Sequence, residues 1–120
     1  GSASKIVTTV FGEAVYGDLN GDGVNDAIVF LTQITGGSGT FYYAALAIND
    51  SGKFIGTQAV FLGDRIAPQT LEIKDGVAIV NYADRKSGEP MSTQPSVGVS
   101  KYLVFKEGVV TATDKAPSKN

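Results

Sequence analysis

The residues best suited to chemistry lie in one short stretch, residues 17–26, which reads Gly-Asp-Leu-Asn-Gly-Asp-Gly-Val-Asn-Asp. Oxygen-bearing side chains occupy alternate positions and a further carboxylate closes the stretch. In a tight loop such spacing directs the oxygens to one centre, and six to eight oxygens are what a hard cation requires. The sequence therefore predicts a Ca²⁺ site. The predicted ligands are Asp18, Asn20, Asp22, the backbone carbonyl of Val24, and Asp26.

An ordinary turn is the alternative interpretation, because Asn-Gly and Asp-Gly pairs are common in turns. The repeated spacing of carboxylates favours cation binding over a plain turn. Calcium is favoured over magnesium because the predicted ligands are all protein oxygens, whereas Mg²⁺ usually keeps several waters. Since the loop would join two strands, we expect a structural role for the ion in preference to a regulatory one.

Residues 16–31 resemble the calcium loop of FG-GAP and related integrin-type β-propeller repeats, in which Asp-x-Asn-x-Asp-Gly-x-x-Asp precedes an apolar strand. The loop is also EF-hand-like, but Val29 stands where an EF-hand has a bidentate Glu, and a strand pattern follows in place of a helix. The resemblance implies a calcium loop between two strands. It does not imply a propeller, which needs at least four blades.

Composition excludes several function classes. The 120-residue chain has no cysteine and no histidine, which removes disulfides, Ser-His-Asp and Cys-His catalysis, and the common zinc ligand sets. The net charge is −2 without a basic stripe, so nucleic acid is not an expected partner. No apolar run is long enough to span a membrane as a helix.

Short β-branched and apolar stretches between turns predict an all-β, single-domain antiparallel meander of about eight strands, forming a β-sandwich or a partly open barrel. Residues 27–34 form a continuous apolar run, which predicts a strand buried on both faces. With residues 40–48 and 53–62 it predicts an antiparallel meander. Asp75-Gly76 predicts a tight hairpin between residues 70–74 and 77–82. Residues 97–106 and 109–113 predict the last two strands.

The composition of the two chain ends predicts the domain boundaries, and a second resemblance predicts the cellular location. Residues 1–4 have the composition of a tag remnant, residues 5–113 that of one β-domain, and residues 114–120 that of a flexible tail. A leader or lipid-anchor cysteine, if the natural protein has one, would precede residue 1. Residues 75–96 resemble small bacterial exported proteins and lipoproteins without an assigned activity. This resemblance implies export to the periplasm, the cell surface or the medium.

Evidence for catalysis is thin. The alternative function is a carboxylate-based hydrolase in region 63–90, using Asp64, Asp84 and Glu89, although surface ion pairs at strand ends are the favoured interpretation of the repeated Asp-Arg pairs. Residues 86–96 form a long loop that suits an unknown protein, envelope or carbohydrate partner, although an ordered surface connection is the favoured interpretation. The predicted partner-binding residues are Arg65, Arg85, Glu89 and Met91.

Two minor hypotheses concern a tyrosine-lined binding face and a covalent cross-link. Four tyrosines on predicted strands, Tyr42, Tyr43, Tyr82 and Tyr102, provide a candidate binding face for sugar or peptide, although half-buried sheet packing is the commoner role. An autocatalytic Lys–Asn cross-link is the other, and it would appear as a loss of ammonia in the intact mass.

Overall fold

The computed structural model describes residues 6–37 and 39–116, so the predicted tag remnant lies outside the described residues and the predicted tail lies partly outside them. The described chain is all-β, as predicted, with no helix. Nine strands occur along it: β1 (Val7–Gly17), β2 (Asp26–Ile34), β3 (Thr40–Asp50), β4 (Lys53–Gly56), β5 (Val60–Asp64), β6 (Ala67–Lys74), β7 (Val77–Asp84), β8 (Val97–Lys106) and β9 (Val109–Thr113).

The first five strands form one antiparallel sheet. Its order is β1-β2-β3-β4, and β5 also pairs with β3, at the opposite end from β4. The predicted strand 53–62 is therefore two strands, and the break lies after Gly56. Thr57 N donates to Leu46 O at the break (2.9 Å), which keeps this segment on the edge of β3. The predicted antiparallel meander of the three pieces is confirmed.

A bulge after Phe11 interrupts the ladder inside the one long strand β1. The register between β1 and β2 shifts between Phe11 and Val15, and Gly12 has a φ of +74°. A positive φ is costly for residues with a Cβ, so a glycine suits this position. The bulge divides β1 into an exposed first half and a second half that leads into residues 17–26.

Strands β6 to β9 form the second antiparallel sheet, in the order β6-β7-β8-β9. The predicted hairpin is present: Asp75 and Gly76 have φ values of +53° and +77°, as a two-residue hairpin turn requires. Pro68 lies on β6, an edge strand, beside a register shift, which fits its inability to donate a ladder hydrogen bond.

The two sheets pack face to face as a sandwich-like domain, and neither sheet closes into a barrel. The smallest extent of the molecule, 22 Å, fits two layers about 10 Å apart with their side chains. Each sheet contributes to one core, and the loops contribute Leu19 and Ile66. The other buried core residues are Ile28, Phe30, Ala44, Leu46, Leu62, Ala78, Val80, Tyr82 and Leu103.

The prediction that β2 is buried on both faces is wrong. Ile28 and Phe30 enter the core, whereas Val29 and Leu31 are only half-buried on the outer face. Register places Leu31 opposite Val10 of β1 and opposite Tyr43 of β3, which itself lies opposite Phe61 of β5. The outer face of the first sheet is thus apolar, with no second layer over it among the described residues.

The outer face of the second sheet carries a polar network beside the apolar side chain of Ile79 and the ring of Tyr102. Asn81 of β7 donates to Thr70 Oγ1 (2.9 Å) and to Glu72 Oε2 (3.4 Å) on β6, and it accepts from Ser100 Oγ (2.6 Å) on β8. These bonds tie three strands together on the solvent side.

The four tyrosines do not share a face. Tyr82 is buried in the core, which raises the pKa of its hydroxyl, and Tyr42 packs against the core. Tyr43 and Tyr102 lie on the outer faces of different sheets. The hypothesis of one tyrosine-lined binding face is therefore wrong.

Candidate metal centre

The acidic loop, residues 18–25 together with Asp26, connects β1 to β2 at one end of the sandwich. Its entry is crowded, since a Cβ on Gly17 would come within 2.7 Å of Ile73 Cγ2 on β6. Only glycine fits where β1 of the first sheet crosses β6 of the second. The loop is therefore anchored where the two sheets meet.

Asp18 organises the exposed part of the acidic loop. Its Oδ1 accepts from Asn20 N (3.1 Å) and Gly21 N (2.8 Å), and its Oδ2 accepts from Gly23 N (2.8 Å). These backbone N–H groups, that of Gly23 above all, hold the pKa of the Asp18 carboxyl below its ordinary value of 3.8. Gly23 has a φ of +81°, a conformation that glycine adopts without the steric cost of a Cβ.

Asp26 ties the loop to the rest of the sheet. It is fully buried, its Oδ2 accepts from Leu19 N (2.8 Å), and its Oδ1 accepts from Asn49 N (2.8 Å) at the end of β3. Leu19 inserts its side chain into the core, so the loop carries an apolar anchor between its polar residues. Asp26 thus joins three chain segments through backbone N–H groups.

The structure brings three of the predicted ligands together. Carboxylate oxygens of Asp18, Asp22 and Asp26 lie within 4.8 Å of one another, and these residues are half-buried, exposed and buried in turn. Cation ligands around one ion lie at such separations, because Ca²⁺–oxygen distances are about 2.3–2.6 Å. This acidic cluster has the donor chemistry of a hard-cation site.

The other two predicted ligands lie in the same loop. Asn20 Oδ1 accepts from Asp22 N at 3.3 Å, and Val24 N donates to Asp22 Oδ1 at 2.9 Å. The Val24 side chain is exposed, in keeping with a role restricted to its backbone. Ligation by Asn20 and by the Val24 carbonyl remains a prediction.

No ion pair within the described part of the chain offsets the charge of the acidic cluster. In the described ranges, the ion pairs are Arg65 with Asp64 and Lys101 with Asp114, and neither involves the loop. Backbone N–H dipoles stabilise the carboxylates of Asp18 and Asp26 only in part. Three carboxylates this close repel one another, and a bound cation would remove that repulsion.

A cleft of about 680 Å³ opens beside the acidic loop. Asn20 and Asp22 line it on the loop side, and Asn49 and Asp50 line it on the β3 side. The remaining lining is a mixture of β4–β5 residues and apolar side chains from both sheets: Ile48, Ile55, Gly56, Thr57, Gln58, Phe105 and Gly108. The cleft leaves one side of the acidic cluster open to solvent.

The predicted partner-binding residues lie at the opposite end of the sandwich, where β5 and β7 end. Arg85 donates from Nε to Thr93 O (2.7 Å) and from Nη1 to Arg65 O (2.9 Å). Arg65, with a φ of +52°, pairs with its neighbour Asp64. The two Asp-Arg strand exits therefore meet, and Arg85 anchors the 86–96 loop.

Glu89 and Met91 lie within that loop, where Glu89 bonds to a neighbouring backbone N–H and Met91 faces solvent. Glu89 Oε1 accepts from Lys86 N at 2.6 Å, and Met91 is exposed. The carboxylates proposed for a hydrolase are also engaged structurally: Asp64 accepts from Thr40 N, and Asp84 accepts from Arg85 N. Neither of the two described clefts includes Asp64, Asp84 or Glu89.

Sequence reasoning missed two parts of the loop end. One is Leu19, whose apolar side chain in a polar loop was a visible signal for an anchor. The other is Asn49, which contributes a backbone N–H, and no residue type indicates such a contact.

Comparison with known proteins finds no matching family model, no matching curated protein and no matching solved structure. Within residues 6–37 and 39–116, no helix is long and apolar enough to cross a membrane.

Proposed function

We propose that this chain is an exported β-sandwich domain whose fold is stabilised by Ca²⁺ at the acidic loop, with a binding or structural role and no catalysis of its own. The observation that carries the proposal is the gathering of Asp18, Asp22 and Asp26 oxygens within 4.8 Å. The resemblance of residues 16–31 to FG-GAP calcium loops supports the choice of ion.

Stabilisation follows from where the ligands lie in the chain. Asp26 starts β2 and is bonded to β3, whereas Asp18 and Asp22 lie in the loop that follows β1. An ion shared by these carboxylates closes the β1–β2 connection and binds the folded chain only. At a free concentration of 100 times Kd, such binding stabilises the fold by about 2.7 kcal/mol.

The expected affinity agrees with export. The Asp22 carboxylate is exposed and the cleft keeps the site open to water, so we expect weaker binding than at a closed site of nanomolar affinity. Extracellular calcium modules typically have Kd values of about 10⁻⁴–10⁻³ M. A site of that affinity fills outside the cytosol, where free calcium is high.

Thermal unfolding with Ca²⁺, with Mg²⁺ and with chelator tests the proposal. Millimolar Ca²⁺ should raise the Tm by several degrees over chelator, because each 1 kcal/mol shifts the Tm of a domain this size by roughly 4 °C. Mg²⁺ should shift it less. Equal Tm values in Ca²⁺ and chelator would end the calcium proposal.

Two variants localise the effect. Asp22→Asn removes one carboxylate of the acidic cluster and should abolish most of the calcium-dependent shift. Asp50→Asn makes the same change of charge on the other side of the cleft, outside the cluster, and should keep the shift. Equal losses in both variants would indicate nonspecific charge screening and not a site at the loop.

A further inference from the structure

The first half of β1 is an exposed edge strand in the described part of the chain. β1 ends the order of the first sheet, so its outer edge pairs with no described strand, and residues 7–13 are all exposed. The second sheet reaches only the other half, where Gly17 contacts Ile73 and where a cleft separates residues 11–15 from residues 68–71. A row of backbone N–H and C=O groups along residues 7–11 is therefore available for pairing.

Up to the bulge after Phe11, this edge lacks the charges and prolines that normally prevent strand addition. Residues 7–11 read Val-Thr-Thr-Val-Phe, with no charge and no proline, and they form a regular ladder with β2 up to the bulge. Charges, proline and short strands are the usual protection. Among the described strands, the other edges have them. β6 carries Pro68, Glu72 and Lys74, and the remaining edges are strands of 4 or 5 residues.

We propose that residues 7–11 pair antiparallel with the same residues of a second copy of this chain, forming a two-fold symmetric dimer centred on Thr9. An antiparallel edge pair obeys two-fold symmetry, so one surface serves both partners. In this register Val7 lies opposite Phe11 of the second copy, Thr8 lies opposite Val10, and Thr9 lies opposite Thr9.

The pairs formed in this register favour a second copy over an unrelated strand. Val with Phe is an aromatic–β-branched pair and Thr with Thr is a hydrogen-bonding pair, both of which stabilise antiparallel sheets. No like charges meet along the five residues. Val7, Val10 and Phe11, which are 47%, 54% and 44% exposed in the single chain, gain neighbours.

The dimer also continues the outer face of the first sheet. Val10 begins the cross-strand row that runs through Leu31 and Tyr43 to Phe61. In the proposed register Val10 lies opposite Thr8 of the second copy, so this row continues into the row of Thr8 and Gln33 in that copy, and one sheet runs through both subunits. Five paired residues bury less than the roughly 1,000 Å² of a standard stable interface, so the dimer should be weak and concentration-dependent.

Sedimentation velocity of the full chain from about 10 µM to about 1 mM tests the proposal. The mass of the wild type should rise from 12.5 kDa toward twice that value, equally in Ca²⁺ and in chelator, because the edge is remote from the acidic loop. A chain that stays monomeric at the highest concentration overturns the proposal. So does assembly that grows beyond a dimer.

Charged substitutions of Thr9, the residue at the two-fold centre of the proposed dimer, test the register. Thr9→Lys and Thr9→Glu each place like charges opposite one another and should weaken dimerisation about tenfold or more, whereas an equimolar mixture should dimerise again as the mixed pair. Thr111→Lys, the same change at an exposed position of edge strand β9, should dimerise as wild type does. Unchanged dimerisation of Thr9→Lys, or no recovery in the mixture, overturns the register.

Thermal unfolding at low concentration tests whether the Thr9 variants still fold as the wild type does. The Thr9 side chain is exposed, and the hydrogen bond described at this residue uses its backbone oxygen, which accepts from Thr32 Oγ1. The Thr9 variants should therefore melt as the wild type does at low concentration. If Phe61→Lys dissociates the dimer and Thr9→Lys does not, the interface is the outer sheet face, and the edge proposal fails.

Discussion

An aspartate holds strand β3 at each end, and the two aspartates have opposite electrostatic surroundings. Asp64 Oδ1 accepts from Thr40 N, at the start of β3, and Asp26 Oδ1 accepts from Asn49 N, near its end. Asp64 has the guanidinium of Arg65 beside it at 3.3 Å. Asp26 has two further carboxylates, those of Asp18 and Asp22, within 4.8 Å.

The difference shows two ways of using a carboxylate to anchor a strand. At the Asp-Arg end, the chain itself provides the countercharge, and Arg85 fastens the 86–96 loop to the same place. At the acidic end, backbone N–H groups are the described partners of the carboxylates, and under our calcium proposal an external cation provides the countercharge. We therefore expect sensitivity to Ca²⁺ at one end of the sandwich and not at the other.

The largest effect is expected for Asp26→Ala. It leaves the N–H groups of Leu19 and Asn49 without their acceptor, at about 1–3 kcal/mol each. Urea unfolding should show a loss of about 2–5 kcal/mol in the free energy of unfolding, in chelator as well as in Ca²⁺. Asp26→Asn retains one acceptor oxygen and should lose less. A loss confined to Ca²⁺ would show that Asp26 acts only through the ion.

A smaller effect is expected for Arg85→Ala at the opposite end. The side chain gives up its hydrogen bonds to Thr93 O and Arg65 O, although water can reach the exposed carbonyl, so we expect a loss of about 1–2 kcal/mol. Proteolysis within residues 86–96 should become faster. Arg65→Ala is the matched control and should cost less than about 1 kcal/mol, because its ion pair with Asp64 is partly exposed.

Both arginine variants should keep the full calcium-dependent rise in Tm. If Arg85→Ala removes that rise, the two ends of the sandwich are coupled and the contrast between them fails.

The smallest effect is the acid response of Asp18. Its pKa is lowered in the folded chain from 3.8, chiefly by the Gly23 N–H, so its contribution to stability is complete above the unfolded value and is lost as the pH falls through the folded value. In chelator, the urea midpoints of wild type and Asp18→Asn should differ at neutral pH and converge below about pH 4. A constant difference across that range would contradict the role of the ionised carboxylate.

Local patterns predicted much of the fold. The Asp75-Gly76 turn and the alternation of Leu71 and Ile73 with Glu72 and Lys74 predict the β6–β7 hairpin, and the hairpin is confirmed. These signals are reliable because turn conformation and side-chain alternation depend on residues adjacent in the chain. The loop at 18–26 was predicted on the same basis, from oxygen spacing within a few residues.

Predictions that depended on distant neighbours were less accurate. The apolar run of β2 indicates two apolar faces, but it does not say whether a second layer of this chain covers both, and only one is covered. In the run 53–62 Gly56 indicates a possible bulge, but the division into two strands depends on where β4 and β5 meet β3.

The sequence alone determined that the chain is all-β, where its turns lie, and which short stretch has the oxygen ligands for a cation. Tertiary structure decided that Asp26 is buried and bonded to Asn49, that the two Asp-Arg exits meet, and that residues 7–11 remain an open edge. The reason is physical: ligand spacing and turn geometry are local properties of the backbone, whereas burial, countercharge and edge exposure depend on which strands pack against which.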